Sequence, residues 1–507
     1  MQSLATTAKN VDTARVERSD SDSDSVASSA PKAAGKRPLG NHGNKVTPVV
    51  EVDGSAFSKA IWRLQRTMWG ITSFKRLAGC HRWLADNSGS AKIHWTAPGQ
   101  AHWGGLQQSD SVWASPLSAL KISRVRADEV SKAVETWKAK SPYHAVEFLT
   151  LTVQHSRGQS LKDVWNQVAV GWKGIIKGAS WRGGARYAGD KNRFGIRHYC
   201  RSTEVTLGSN GWHTHLHVLF FLQEGLALEE RETLQERLFT RWKDAIVRAG
   251  YKAPNVKHGI KLEEAVKNQD AEAMGAYMAK GSVVSIGYEI ASGQQKKARF
   301  KNSRTPFQLL ADIATARENK ENYQSDLRLW REWEETSLGK RQMTWSRGAK
   351  KELGVLDLND SKALALAEEE EQAGAYSVAT VLADDWKTPA PGAEVRLSDD
   401  IDTRRLIIEE VAKAKTPAHA QKRAERILTS LGIRFKSELV CLQVEPMEPA
   451  VNILQSREIL RPSPPGQLER PATNIFQKRQ LLMSGLKRLW QKLRPLFSFL
   501  IRSGFSR

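Results

Sequence analysis

Residues 211–221 read Gly211-Trp212-His213-Thr214-His215-Leu216-His217-Val218-Leu219-Phe220-Phe221. Histidine occupies three alternate positions in this apolar run, and alternate side chains of a β-strand point to the same face of a sheet. The stretch therefore predicts a strand with a row of imidazoles on one face and Leu, Val and Phe on the other. Such a row is typical of a metal site, although a histidine-rich solvent face would show the same pattern.

The preceding residues predict a partner strand. Residues 201–207 alternate polar and apolar side chains, and the turn sequence Gly208-Ser209-Asn210-Gly211 follows them. A two-residue turn at Asn210-Gly211 would place Glu204 opposite His217, whereas a four-residue loop would place it opposite His215. Both registers put Glu204 on the histidine face, where opposed side chains lie about 5 Å apart. A carboxylate and two imidazoles can then converge on one cation, which suits Mn, Zn, Fe or Ni, and Mg where phosphate adds oxygens.

A second candidate element is the Ala- and Met-rich segment 271–281, which favours a helix that Gly281 would end. Tyr277 and Lys280 are spaced i,i+3 and share one face of this helix. A tyrosine oxygen can attack a phosphodiester, and a nearby ammonium would stabilise both the phenolate and the phosphate. A tyrosine on such a helix is more often a packing residue, so the segment alone does not decide between the two roles.

The charge of the chain indicates a polyanionic partner. The 507 residues carry a formal net charge of +22, and nucleic acid is the usual counterpart of such a charge. Residues 171–203 and 294–304 concentrate basic residues around aromatic ones, which predicts contact with single-stranded DNA through phosphate pairing and base stacking. The basic side chains that we expect to bind DNA are Lys173, Lys177, Arg182, Arg186, Lys296, Lys297 and Arg299.

The three cysteines form no CxxC pair, which suits a reducing compartment. We find neither an apolar run of about 18 residues nor a signal-peptide core, so we expect a cytoplasmic protein without a transmembrane segment.

Composition shifts divide the chain into five predicted parts. The Ser/Asp-rich residues 1–50 are expected to be disordered, and residues 55–355 to form the main domain. A linker and a small accessory domain are predicted for 360–460, with two short helices and a strand at 400–445. A Pro-rich linker follows at 462–474, and a basic amphipathic helix at 475–507.

The ordered set of these elements resembles the HUH endonuclease superfamily, and within it the plasmid rolling-circle replication initiators. The resemblance covers residues 75–355. It rests on a core strand at 148–153, on Glu204 with the histidine strand, and on Tyr277-Met278-Ala279-Lys280. The segment Arg304–Leu310 and the Trp-containing stretches at 330–333 and 345–346 resemble the end of the family pattern.

The resemblance implies an α+β fold with a central antiparallel sheet of about five strands and packed helices. It implies that His215 and His217 bind Mg or Mn, that Glu204 or His213 completes the site, and that Tyr277 nicks origin DNA, assisted by Lys280. The product would be a 5′-phosphotyrosine and a free 3′ hydroxyl for polymerase, and a host helicase is a further expected partner.

Two positions depart from the family pattern. Serines occupy the places of a cysteine cluster around Trp113, so we expect no zinc site there, although Cys80 lies upstream. Ala273 stands where some relatives carry the glutamate that ends the replication cycle.

Two other classes of protein fit part of the pattern. A related HUH relaxase or transposase is disfavoured because relaxases tend to place the tyrosine before the histidines. A catalytically silent DNA-binding repressor is disfavoured because Tyr277 and the histidine pair are both intact.

Overall fold

The structure of the protein, a computed structural model, describes residues 54–86, 88–265, 271–278 and 303–442. All of these residues belong to one compact unit that ends at residue 445. The predicted segments 1–50, 462–474 and 475–507 lie outside the described residues, as do Lys280, Lys296, Lys297 and Arg299.

The described residues form nine strands. They are β1 (Ser90–Ala97), β2 (Gln100–Gly104), β3 (Ala145–Thr152), β4 (Ile196–Gly208), β5 (Gly211–Leu222), β6 (Ile260–Glu264), β7 (Met343–Trp345), β8 (Tyr376–Leu382) and β9 (Lys436–Cys441).

The helices of the same residues frame these strands. They are α1 (Gly54–Ile71), α2 (Lys75–Gly79), α3 (Pro116–Lys140), α4 (Leu161–Ile176), α5 (Ala179–Arg182), α6 (Asp190–Arg193), α7 (Leu228–Arg248), α8 (Ala271–Met278), α9 (Pro306–Glu318), α10 (Gln324–Ser337), α11 (Ala349–Glu352), α12 (Asp360–Gln372), α13 (Ala383–Lys387), α14 (Ile401–Ala412) and α15 (Pro417–Ser430). Among these, every helix is too short or too polar to cross a bilayer.

The larger sheet is antiparallel and has five strands in the order β6-β3-β5-β4-β7. The predicted α+β class, with a central sheet of about five strands and packed helices, is confirmed. The histidine strand β5 lies at the centre, between β3 and β4. Its alternation separates two faces, one packed against α4 and α7 and the other against α3 and α8.

Glycines let the flanking helices pack closely. On α4, a side chain at Gly171 would collide with the indole of Trp242 on α7. On α8, a side chain at Gly275 would collide with the backbone of Ala127 and the hydroxyl of Ser131 on α3. Ser131 Oγ also donates a hydrogen bond to Ala271 O at 3.0 Å. These contacts fix α8 against α3, on the histidine face of the sheet.

The smaller sheet has four antiparallel strands in the order β2-β1-β8-β9. Its inner pair joins distant parts of the chain, since Ala91 on β1 is opposite Val381 on β8. The two helices and the strand predicted within 400–445 are present as α14, α15 and β9. However, the predicted accessory region shares its sheet with residues 90–104, which we had assigned to the main domain. The predicted boundary at residues 355–360 therefore does not separate this sheet from the first part of the chain, because β1 supplies the pairing edge for β8.

A buried arginine attaches the smaller sheet to α1. Arg404 on α14 is fully buried, and its guanidinium lies 5.3 Å from the ring centroid of Trp62 and 4.8 Å from that of Trp386. It donates a hydrogen bond to His81 O at 2.7 Å. Burial lowers the pKa of Arg404 to about 9. Cation–π contacts and hydrogen bonds to backbone carbonyls thus stabilise the desolvated guanidinium of Arg404.

Candidate metal centre and nucleic-acid surface

The β4–β5 hairpin places Glu204 beside the histidine row. Glu204 is opposite His215 and Gly208 is opposite Gly211, which is the register predicted for the four-residue loop. Gly211 has a φ of 89°, a conformation that favours glycine. A side chain there would also lie 3.3 Å from the backbone of Ser156 and Arg157. The turn is therefore specified by both conformation and close packing.

Three side chains converge on this face of the sheet. The Nε2 atoms of His215 and His217 each lie 3.0 Å from the same carboxylate oxygen of Glu204. The three candidate ligand atoms lie within 4.8 Å of one another, and within the described residues no other group of three or more potential ligands comes together in this way. The Glu204 side chain is 34% exposed, against 7% for His217, so solvent reaches the cluster over the carboxylate.

The electrostatics keep Glu204 ionised. Burial by itself would raise the pKa of this carboxyl group, but the neighbouring imidazoles of His215 and His217 outweigh burial and hold the pKa well below its usual range. A carboxylate and two imidazole nitrogens form a donor set that suits a divalent cation such as Mn, or Mg where phosphate oxygens complete the shell. The residues present therefore fit the expected metal.

Strand β3 supports the cluster with residues that our sequence reasoning did not assign to the site. Thr150 is opposite His217, and its Oγ1 atom lies 3.4 Å from the Nδ1 atom of that ring. Phe148 stacks on His217 with ring centroids 5.4 Å apart. The alternation Phe148-x-Thr150-x-Thr152 in the predicted core strand was the available signal, because it places all three side chains on one face.

His213 lies outside the convergent group. Its ring stacks on His155 at 4.8 Å and contacts His215 at 5.2 Å. Burial, followed by the proximity of His215 and His155, lowers the pKa of His213 to about 4. Of the two predicted candidates for the third ligand, Glu204 is thus the one that lies with His215 and His217.

The structure places Tyr277 in helix α8, next to the histidine face. Met278, the following residue, is buried, and its Sδ atom accepts a hydrogen bond from Ser202 Oγ at 3.9 Å. Ser202 is opposite His217 in the β4–β5 pairing. The helix that carries the predicted nucleophile is therefore attached to the face of the sheet that carries the cluster. The side chain of Tyr277 lies outside the described residues.

The predicted DNA-binding residues that the structure describes lie away from this face. Lys173 on α4 and Lys177, Arg182 and Arg186 beyond it are exposed, in the layer that covers the opposite face of the sheet. Within residues 171–203 the predicted stacking was wrong for Trp172, Trp181 and Phe194, because their rings are buried in the core between α4 and the sheet. Tyr187 is 57% exposed. The basic side chains of this run thus face solvent without the expected stacking surface.

The serines that replace the family's cysteine cluster surround Cys80. The Sγ atom of Cys80 lies 3.4 Å from Ser115 Oγ and 3.6 Å from Ser118 Oγ. All three residues are fully buried, and burial raises the pKa of the Cys80 thiol. Ser115 also caps α3 through the backbone N–H of Ser118. Hydrogen bonds and packing hold this region together.

Comparison with known protein families identifies the family of this chain. Residues 112–391, more than half of the chain, match the family model described as "Replication protein". The chain belongs to this replication protein family. The matched span of the replication protein includes the β4–β5 hairpin and α8, and the family supports a role as a plasmid replication initiator with DNA as its partner. The resemblance to the HUH superfamily is consistent with this membership.

A curated relative agrees with the family match. The replication protein is 26% identical over 330 residues to "Protein rep" of Streptomyces lividans, which covers 55% of this chain and 70% of the relative. No solved structure gave a significant match.

Proposed function

We propose that this replication protein nicks one strand of plasmid origin DNA through a metal-assisted attack by Tyr277 and so starts rolling-circle replication. The convergence of Glu204, His215 and His217 on one sheet face, with α8 packed on the same face, is the observation that supports this proposal.

The described residues would divide the work as follows. His215, His217 and the ionised Glu204 would hold Mg or Mn, and Thr150 and Phe148 would keep the His217 ring in place. When bound, the cation would polarise the scissile phosphate. Ser202 and the buried Met278 would keep α8 close to the cluster.

The chemical step exchanges one phosphate ester bond for another. The phenolate oxygen of Tyr277 attacks the scissile phosphorus, a Tyr–O–P bond forms, and the P–O3′ bond breaks. The released 3′ oxygen takes up a proton, and the 5′ phosphate stays on the protein. Lys280, three residues further along the chain, is the proposed electrostatic helper of the phenolate. The free 3′ hydroxyl would serve host polymerase as a primer, and a host helicase would separate the strands.

The experiment that tests this proposal is an adduct assay. The full chain is incubated with Mn²⁺ and single-stranded oligonucleotides from the cognate origin, and covalent protein–DNA product is scored on a denaturing gel. Tyr277→Phe should lose the adduct. His215→Ala should lose cleavage while DNA binding persists. His258→Ala, which removes an imidazole from an exposed loop, is the matched control and should nick normally.

Two results would contradict the proposal. Normal cleavage by Tyr277→Phe would show that the nucleophile is another residue. Tight origin binding by the wild-type chain with no adduct under any divalent cation would favour the repressor alternative instead.

A further inference from the structure

A small depression lies on the face of the five-stranded sheet opposite Glu204, His215 and His217. This back pocket has a volume of about 360 Å³ and is bounded by α4, by strands β4, β5 and β7, and by the turn before β7. Arg201, Thr203 and Thr344 contribute from the strands, Asn166 from α4, and Lys340 and Arg341 from the turn. Glu204, His215 and His217 are called the His–Glu cluster below. Arg201 and Thr203 alternate with Ser202 and Glu204 along β4, so the back pocket and the His–Glu cluster lie on opposite sides of one strand.

The back pocket has an unbalanced charge. Three cationic side chains line it, and no carboxylate does so among the described residues. Within the same residues, Arg201, Lys340 and Arg341 form no ion pair with Asp or Glu. By contrast, Arg126 is buried with Glu129 and Asp360 as ion-pair partners, and Arg404 is buried with backbone carbonyl oxygens as hydrogen-bond partners.

Arg201 is held in place by groups that leave its charge uncompensated. Its guanidinium lies 5.6 Å from the ring centroid of Trp172, and its Nε atom donates to Thr344 Oγ1 at 3.0 Å. Lys340 Nζ lies 5.2 Å from the ring centroid of Trp165. Burial lowers the pKa of Arg201. A cation that is oriented and partly desolvated, yet has no carboxylate partner, is arranged to receive an external anion.

The surroundings indicate which anion this is. Asn166 and Ala169, which line the back pocket, lie on α4 at a spacing that continues to Lys173 one turn further. Lys173 and Lys177 are exposed, and Arg182 and Arg186 follow in the same layer. A row of cations that extends beyond one pocket suits a polymer with repeated phosphates better than a single free nucleotide.

We propose that the back pocket binds a backbone phosphate of DNA, and that the basic row on the α4 layer continues this contact on the face opposite the His–Glu cluster. The proposal rests on DNA as the partner of this chain and does not require that the chain nicks DNA. Together with the proposed nicking at Glu204, His215 and His217, it implies that DNA contacts both faces of the central sheet.

The test uses the salt dependence of DNA binding. Affinity of the full chain for an origin duplex is measured from 50 to 300 mM salt, because each neutralised phosphate contributes about 0.9 to the slope of log K against log salt. Lys340→Gln/Arg341→Gln should lower that slope by about 1 to 2 and weaken binding at low salt by roughly tenfold or more. Lys340→Arg/Arg341→Lys keeps both charges and should preserve the slope. Lys59→Gln/Lys362→Gln removes two exposed charges from α1 and α12 as a matched control.

The outcomes separate the sources of phosphate and the two proposals. An unchanged slope in the Lys340→Gln/Arg341→Gln variant, at unchanged thermal stability, would overturn the back-pocket proposal, whether or not inorganic phosphate or a deoxynucleoside monophosphate binds the chain. A lowered slope that the control does not share would support it. Failure of the adduct assay with Tyr277 intact would contradict nicking but would leave the slope result in force.

Discussion

Ser202 on β4 donates a hydrogen bond to the Sδ atom of Met278 on α8, at a distance of 3.9 Å. Ser202 is also the cross-strand neighbour of His217. The residue that follows Tyr277 is therefore fixed to the strand pair that carries the metal-binding candidates, and the two predicted halves of the site meet at this contact.

Replacing Met278 with a smaller residue should loosen the contact between α8 and the strands that carry Glu204 and the histidines. We expect Met278→Ala to lower the free energy of unfolding by roughly 2–4 kcal/mol, because it leaves a cavity in a buried position. It should also slow adduct formation by at least about tenfold, because a displaced nucleophile reacts poorly. The rate is measured in single-turnover experiments at a temperature where the variant stays folded.

Met343→Ala provides the matched control for that experiment. Met343 on β7 belongs to the same hydrophobic cluster and is 7% exposed; it is opposite Ser202 in the β4–β7 pairing but is not part of α8. A comparable loss of stability with little change in rate is expected. If both variants lost activity equally, the Ser202–Met278 contact would have no special role.

Metal binding should appear as thermal stabilisation that depends on Glu204. A cation at about 100 times its dissociation constant stabilises the folded state by about 2.7 kcal/mol. We therefore expect Mn²⁺ to raise the melting temperature of the wild-type chain, EDTA to reverse the shift, and Glu204→Gln to abolish it. Calorimetric titration with Mn²⁺ alone is the second measurement. An equal shift in Glu204→Gln would place the cation elsewhere.

The cluster around Cys80 should be convertible into a zinc site. Ser115 and Ser118 contact the Cys80 thiol, and the backbone of Ser109 donates a hydrogen bond to it. We expect Ser109→Cys/Ser115→Cys/Ser118→Cys to bind one zinc per chain, since four thiolates are the usual ligands of structural zinc. The same triple variant with Cys80→Ser should bind zinc far more weakly. Metal content after gel filtration decides between one zinc per chain and none.

The smaller sheet should lose stability in mild acid. His94 and His102 are opposite each other on β1 and β2, with rings 5.1 Å apart, and burial lowers their pKa values to about 3 and about 4. The unfolded chain binds protons near pH 6.5, so the folded state is fully favoured above that pH. The contribution of the two neutral histidines to the free energy of unfolding is lost as the pH falls from about 6.5 towards their pKa values in the folded state.

The corresponding measurement is the melting temperature between pH 7.5 and pH 4.5. His102→Gln should flatten the profile, because it removes one titrating group and the repulsion of His94. His258→Gln, which changes an exposed ring, should leave the profile steep. Parallel profiles for all three proteins would show that other groups control the acid sensitivity.

The sequence could predict that Glu204, His215 and His217 come together, because the signals for this convergence are local in the chain. Period-two alternation places His215 and His217 on one face, and a turn four residues long lets Glu204 reach them. The two candidate registers differed by two residues, and the structure has the one in which Glu204 is opposite His215.

Other features depend on contacts that no local pattern contains. Trp172 and Trp181 lie in a basic run that resembles a nucleic-acid surface, yet their rings fill the core beneath α4. Likewise, nothing near Ala91 indicates that its partner is Val381. Long-range pairing of this kind becomes visible only when the whole chain is folded.

That pairing has a consequence for the order in which the protein is made. Because β1 bonds to β8 and β8 to β9, the smaller sheet is incomplete until the segment up to Cys441 has left the ribosome. Until then the β1–β2 hairpin has an unpaired strand edge, and unpaired edges promote aggregation in other proteins. A chain truncated after the five-stranded sheet would therefore still carry the His–Glu cluster but would expose the unpaired edge of β1. Exposed strand edges of this kind favour aggregation.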